Sequence, residues 1–140
     1  MEGQYAMVQG VLGGIGAVSL FVAAIGIANT MMMSIYERTK EIGIMKVLGC
    51  SLGRIRDLFL LEAGFIGLSG GAIGLLLSYG ISAVINAVAG NSTGYSTLSY
   101  IPLWLSVVAL IFAVIIGMLA GLMPALRAMK LSALSALRNE

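Results

Sequence analysis

The side chains able to do chemistry in this 140-residue chain are few, and apart from Glu2 they are confined to two stretches. Six acids, eight bases, one cysteine and no histidine make up the inventory. A zinc site, a Cys–His nucleophile pair and a histidine-based triad are therefore excluded within the chain. Cys50 has no partner for an internal disulfide, and ordinary packing accounts for it without redox chemistry. The glycine-rich stretches lack the lysine and the preceding strand of a phosphate loop, so the chain is not expected to hydrolyse ATP. Met31 to Met33 read as packing or lipid-facing residues rather than a metal site. No catalytic residue, metal ligand or bound cofactor is expected. What remains is a dense run of charge, Glu37-Arg38-Thr39-Lys40-Glu41 through Lys46, Arg54, Arg56 and Asp57, and a basic tail with Arg127, Lys130 and Arg138.

The elements that position these charges are defined by where charge is absent. The chain is 59% hydrophobic and only 10% charged, with a mean hydropathy of +1.03, which removes it from the soluble class. No acid or base lies between Glu2 and Glu37, or between Glu62 and Arg127. A helix needs roughly 20 apolar residues to cross about 30 Å of hydrocarbon. The first tract therefore holds one span, near 11–35, while the second must hold two, near 58–88 and 101–123. Between these two lies the polar stretch Ala89-Gly90-Asn91-Ser92-Thr93-Gly94-Tyr95-Ser96-Thr97, rich in turn-forming residues. The predicted fold is an all-α membrane protein with three transmembrane helices. A cytoplasmic segment at 37–57 carries an amphipathic helix, an extracytoplasmic loop occupies 89–100 and a cytoplasmic tail 124–140. The second span is too long for the bilayer: residues 59–88 reach about 45 Å at helical rise, so it tilts or projects.

Orientation follows from the basic residues flanking the spans. Arg38, Lys40, Lys46, Arg54 and Arg56 after the first span, and the basic tail after the third, place both segments in the cytoplasm. The N-terminal lead and the second loop carry no basic residue and face outward, where Tyr95, Tyr100 and Trp104 suit the interface. The only early charge is Glu2 and the apolar run is long, which argues against a cleavable signal peptide. An outward N-terminus without its own signal is the arrangement expected for the C-terminal portion of a larger membrane protein.

Helices in lipid gain little from hydrophobicity alone and associate where small residues let backbones approach. The third span carries the ladder Ala109, Ala113, Gly117, Gly121 and Ala125, and the second carries the overlapping pairs Gly67/Gly71 and Gly70/Gly74. The first adds Gly10/Gly14 and Gly26. This density is common in membrane helices; it also suits a tight bundle or a dimer seam. Pro102 fits a first helical turn, and Pro124 is expected to kink or end the third span near Leu122. Asn29 suits an interhelical hydrogen bond, and Glu62, about one turn from the cytoplasmic end of the second span, reads as structural.

Within 37–57, a helix places Ile42, Ile44, Met45 and Leu48 in an arc of about 160°, with Lys40 and Lys46 on the other side. Gly49 can supply a left-handed cap and Ser51 can start the next helix. Two uses compete: the helix lies among headgroups with its cations facing anionic lipid, or its apolar face plugs a groove on a soluble partner. The residues alone put lipid first.

The run Asn29-Thr30-Met31-Met32-Met33-Ser34-Ile35-Tyr36-Glu37-Arg38-Thr39-Lys40-Glu41-Ile42-Gly43-Ile44-Met45-Lys46-Val47-Leu48-Gly49 resembles the FtsX-like permease domain of ABC transporters, of the MacB and LolC–LolE kind. Two further blocks are similar to that family. They are Phe59-Leu60-Leu61-Glu62-Ala63 with Gly70-Gly71-Ala72-Ile73-Gly74, and Pro124-Ala125 through Ala136-Leu137-Arg138-Asn139-Glu140. The tail departs from many members by having Ala133 where they have proline.

The resemblance implies a four-helix permease whose first span and extracytoplasmic domain precede this portion. It also implies a coupling helix that docks on an ATP-binding subunit, which reverses the lipid-first ranking. Docking then falls to Glu41, Ile42, Met45, Leu48 and Gly49, with Arg38 and Lys46 as rim charges. ATP and Mg belong to the partner ATPase. Motion passes through the small-residue seams Gly67, Gly70, Gly71, Gly74, Ala113, Gly117 and Gly121 of a homo- or heterodimeric permease in the cell membrane. Nucleic acid is not an expected partner. The alternatives are a small independent three-helix membrane protein, such as a channel, or an accessory subunit regulating another enzyme. A channel requires a polar stripe, and only Ser78, Ser82 and Asn86 are scattered toward the outer end of the second span.

Overall fold

A charge-free backbone in hydrocarbon has no water to satisfy its N–H and C=O groups, so it must close its hydrogen bonds within a helix. The computed structural model describes residues 2–93 and 98–130, and all of its regular structure is helical. Helix α1 spans Glu2–Glu37, α2 Thr39–Val47, α3 Leu52–Thr93 and α4 Leu103–Lys130. Among the described residues, three segments are long and apolar enough to cross a membrane: Gly3–Glu37, Leu52–Ala89 and Leu103–Lys130. The chain is thus a multi-pass membrane protein with one short helix between its first two long ones.

The long helices exceed the lengths expected of the spans. At helical rise α1 extends about 54 Å and α3 about 63 Å, well beyond a hydrocarbon layer of about 30 Å. Helix α3 begins at Leu52, directly after the expected start at Ser51, and it continues through Asn91-Ser92-Thr93. Composition favoured a turn there, but an established helix adds one hydrogen bond per residue and overrides weak local preference. Gly94 to Thr97, including Tyr95, lie outside the described residues. Pro124 does not end α4, which runs through it to Lys130. The proline removes one N–H and leaves the Ala120 carbonyl without its usual partner, a defect a membrane helix tolerates when neighbours cover it. Pro124 is itself buried.

The contacts divide the chain into two compact units, Met1–Leu60 with Ala120–Glu140, and Leu61–Leu119. In the second unit, α3 and α4 approach until backbone meets backbone. A Cβ on Gly67 would collide with the Ala113 carbonyl oxygen, and one on Gly117 would stand 2.6 Å from the Ala63 carbonyl oxygen and 3.1 Å from the Gly67 Cα. Gly71 meets the Ala113 methyl in the same way, at 2.8 Å. By contrast, Gly70 and Gly74 face open space. At the far end of this unit the polar side chains are consumed locally. The Asn86 Oδ1 accepts the backbone N–H groups of Leu98 and Ser99 at 2.9 and 2.8 Å, and its Nδ2 donates to the Ser99 carbonyl at 2.8 Å. Ser82 donates to Ser99, and the Tyr79 and Ser106 hydroxyls share a 2.7 Å hydrogen bond. The Pro102 carbonyl then accepts the Leu105 and Ser106 N–H groups and opens α4.

Two substitutions on α3 and α4 test this crossing. Gly117→Val is expected to lower the unfolding free energy of the detergent-solubilised chain by about 1–3 kcal/mol, since backbone cannot give way as a side-chain tip can. Gly70→Ala is expected to leave it unchanged or raise it by up to about 1 kcal/mol. Helix content followed through a denaturant titration reads both.

Candidate functional site

The charged segment becomes a site because α1 stops and the chain turns without losing its hydrogen bonds. Arg38, at φ −100° and ψ 17°, breaks the helical path, yet its N–H still reaches the Ser34 carbonyl at 3.1 Å and its carbonyl accepts from Ile42 at 3.0 Å. The Thr39 hydroxyl donates to the carbonyls of Ile35 and Tyr36 at 3.0 and 2.9 Å, satisfying acceptors that the end of α1 would otherwise leave open. Helix α2 ends in a Schellman motif: the Cys50 N–H bonds the Met45 carbonyl at 2.9 Å and the Gly49 N–H bonds the Lys46 carbonyl at 3.0 Å. This requires a left-handed residue between them, and Gly49 has φ 84°. The Ser51 carbonyl accepts from Arg54 and Ile55 and starts α3.

The face of α2 that turns inward is Thr39, Ile42, Gly43 and Lys46, spaced i, i+3, i+4, i+7. Ile42 is 1% exposed and Gly43 is buried, while Thr39 and Lys46 are half-buried. In the same unit Met31, Ile35, Ile55, Phe59, Pro124, Ala125 and Ala128 are buried as well, so α1, α2, the start of α3 and the end of α4 all contribute to its core. Lys46 crosses 82 residues of sequence to reach α4. Its Nζ donates to the carbonyls of Ala128 and Met129 at 3.1 and 2.9 Å. These belong to the last described turn of α4, where the helix carbonyls attract a cation. Burial pushes the Lys46 ammonium below its ordinary pKa of 10.5, a sign that the group has given up water to sit there.

The structure therefore divides the arc read from the sequence. Ile42 turns into the core and Lys46 onto α4, so neither is presented outward. Met45 is half-buried. Leu48 is 81% exposed, and together with exposed Ile44 and Val47 it forms an apolar triad at i, i+3, i+4 on the opposite face, beside exposed Glu41, Lys40 and Gly49, with Arg38 exposed at the bend. Val47 was missed in the sequence because the arc was drawn through the apolar residues rather than around the buried stripe, which holds a glycine and a lysine. Of the packing residues, Gly67, Gly71, Ala113 and Gly117 meet one another, Gly121 is buried, and Gly70 and Gly74 are open. The tail residues 131–140, including Ala133 and Arg138, lie outside the described residues. Among the described residues no group of three His, Cys, Asp or Glu side chains could hold a metal ion.

The caps of α2 can be tested separately. Lys46→Met keeps the aliphatic reach but removes both donors; it is expected to cost about 1–3 kcal/mol and to speed amide hydrogen exchange in the last turn of α4. Gly49→Val forces a β-branched residue into left-handed backbone, with an expected loss of about 1–2 kcal/mol and faster exchange at the C-terminal end of α2.

Comparison with known proteins agrees with this architecture. Residues 13–133 match the family described as FtsX-like permease C-terminal. The chain is 40% identical over 136 residues to the ABC transporter permease YtrF of Bacillus subtilis, covering 90% of this chain and 31% of that protein. It is 44% identical over 128 residues to the uncharacterized ABC transporter permease MJ1507 of Methanocaldococcus jannaschii, covering 91% and 32%. It is 40% identical over 128 residues to the macrolide export ATP-binding/permease protein MacB of Acinetobacter baylyi, covering 90% of this chain and 18% of that protein. The chain thus spans about a third or less of the length of the curated relatives it matches. With three apolar helices, a short helix after the first and the match across most of its length, the chain belongs to the FtsX-like permease family, in that family's C-terminal region.

Proposed function

We propose that this chain is the membrane-embedded permease part of an ABC transporter, and that α2 is the handle by which an ATP-binding subunit or domain moves it. The observation that carries the reading is the two-sided character of α2. One face is anchored by Ile42, Gly43 and Lys46, while the other offers Ile44, Val47 and Leu48 to a groove on a partner. Arg38, Glu41 and Gly49 border that apolar triad, and Met45 lies between the two faces. A helix held only in the headgroup layer has no need of a cation spent on the end of another helix.

Family membership supports the partner, and the name of the MacB relatives joins ATP-binding and permease in one protein. ATP and Mg then belong to the ATPase, and this chain transmits its motion. Movement of α2 passes through Lys46 to α4, and from α4 through Gly117 to Gly67 of α3. The basic residues around α2 and at the end of α4 support a cytoplasmic placement of both, with the N-terminus extracytoplasmic. The open small-residue faces of α1, at Gly10 and Gly14, and of α3, at Gly70 and Gly74, suit contact with a second permease, identical or related. A channel gains no support, because Ser82 and Asn86 are bonded to Ser99 and the Ser78 hydroxyl to the Gly74 carbonyl.

Co-purification of the full-length permease with its ATPase tests the handle. Leu48→Asp and Val47→Asp are expected to weaken association by at least about tenfold, as loss of a central apolar anchor does, and to lower coupled ATP turnover. Undiminished association and turnover in both variants would contradict the proposal.

A further inference from the structure

A crevice of about 250 Å³ opens between α1 and α4 at the same end of the molecule as α2. Ile25, Asn29 and Met32 line it from α1, at the i, i+4, i+7 spacing of one helix face, and Met123, Pro124 and Arg127 line it from α4. Its chemistry is graded along its length. Asn29 is the polar residue that α1 contributes, and among the described residues the one charge, Arg127, stands in the last turn of α4. Among the described residues no carboxylate lines it. Among the described residues, neither the Arg127 guanidinium nor the Asn29 amide has a hydrogen-bonding or ionic partner within the chain. The interhelical hydrogen bond expected of Asn29 is thus not made among these residues, although a polar side chain in a spanning helix is costly unless something answers it.

Depth along α4 identifies what can answer it. Trp104, exposed near the start of α4, suits the opposite interface, and Arg127 lies 23 residues further on, about 35 Å at helical rise. That exceeds the hydrocarbon thickness of about 30 Å and puts the guanidinium among headgroups. The apolar part of the crevice points back into the hydrocarbon.

We infer that this crevice is a binding site for one anionic phospholipid. The Arg127 guanidinium holds the phosphate, the Asn29 amide donates to a glycerol or ester oxygen below it, and an acyl chain runs away from the headgroup along Ile25 and Met123. A polar head over an apolar tail, with net negative charge, matches the order of groups in the crevice. A free phosphate would use only its mouth. The proposal goes beyond the transport reading and does not depend on it.

Native mass spectrometry of the full-length permease, delipidated and then titrated with phosphatidylglycerol or phosphatidylcholine, tests the site. Wild type is expected to retain one phosphatidylglycerol in preference to phosphatidylcholine. Arg127→Gln is expected to weaken that retention about fivefold, the effect of one interfacial cation, and Arg127→Lys to restore most of it. Ala28→Trp, which fills the crevice from α1 without touching a charge, is expected to abolish the tightly held lipid, while Arg56→Gln, outside the crevice, leaves it unchanged. Excess glycerol phosphate is expected not to displace the lipid. Equal retention of the two lipids, displacement by glycerol phosphate, equal loss in Arg56→Gln, or retention undiminished in both Arg127→Gln and Ala28→Trp would overturn the assignment. So would efficient disulfide cross-linking between two copies through Met32→Cys, since a second chain would then occupy the crevice.

Discussion

Two carbonyls in the last described turn of α4 accept hydrogen bonds from a lysine of a distant segment. The hydrogen bonds from Lys46 to the Ala128 and Met129 carbonyls join α2 to the end of α4 across 82 residues of sequence. The other features around α2 are arranged about that join. Arg38 turns the chain without breaking its hydrogen bonds, Ile42 and Gly43 seat α2 against the core, and Gly49 turns it out again. The cost of partly dehydrating an ammonium is offset by two carbonyl acceptors at the negative end of a helix dipole. What remains exposed on α2 is therefore free of a structural duty.

The second constraint is distance of approach. Gly67 and Gly117 bring the α3 and α4 backbones so close that no Cβ fits at either position, and a contact made of backbone deforms little. A movement delivered to α4 through Lys46 would meet such a contact further along the same helix. Just before α4, Asn86 and Ser82 of α3 hold Ser99 by side-chain hydrogen bonds.

Much of the fold was legible because it follows from one solvent property. Charge-free tracts with no water to satisfy them must be helical, and their lengths count the spans. The cap at Gly49 was legible for a local reason, since only a residue without Cβ enters left-handed backbone cheaply. The faces of α2 were not. Its buried stripe includes Gly43, whose role is to be small, and Lys46, whose partner is 82 residues away. Hydrophobic periodicity recognises neither. Nor could spacing rules tell Gly67 and Gly71, which meet α4, from Gly70 and Gly74, which meet nothing, because both pairs satisfy the same motif. The continuation of α3 through Asn91-Ser92-Thr93 and of α4 through Pro124 shows cooperativity overriding residue preference.

The central claim is that α2 and the end of α4 move as one body, and a spin-label distance measures it directly. Labels at the exposed positions Lys40→Cys and Lys130→Cys, in a Cys50→Ser full-length permease assembled with its ATPase, report on α2 and α4 respectively. The account predicts the same label separation in the nucleotide-free and ATP-trapped states, and a separation that changes between those states once Lys46→Met is introduced. A separation that changes with nucleotide in the presence of Lys46, or one that Lys46→Met leaves constant, would contradict it.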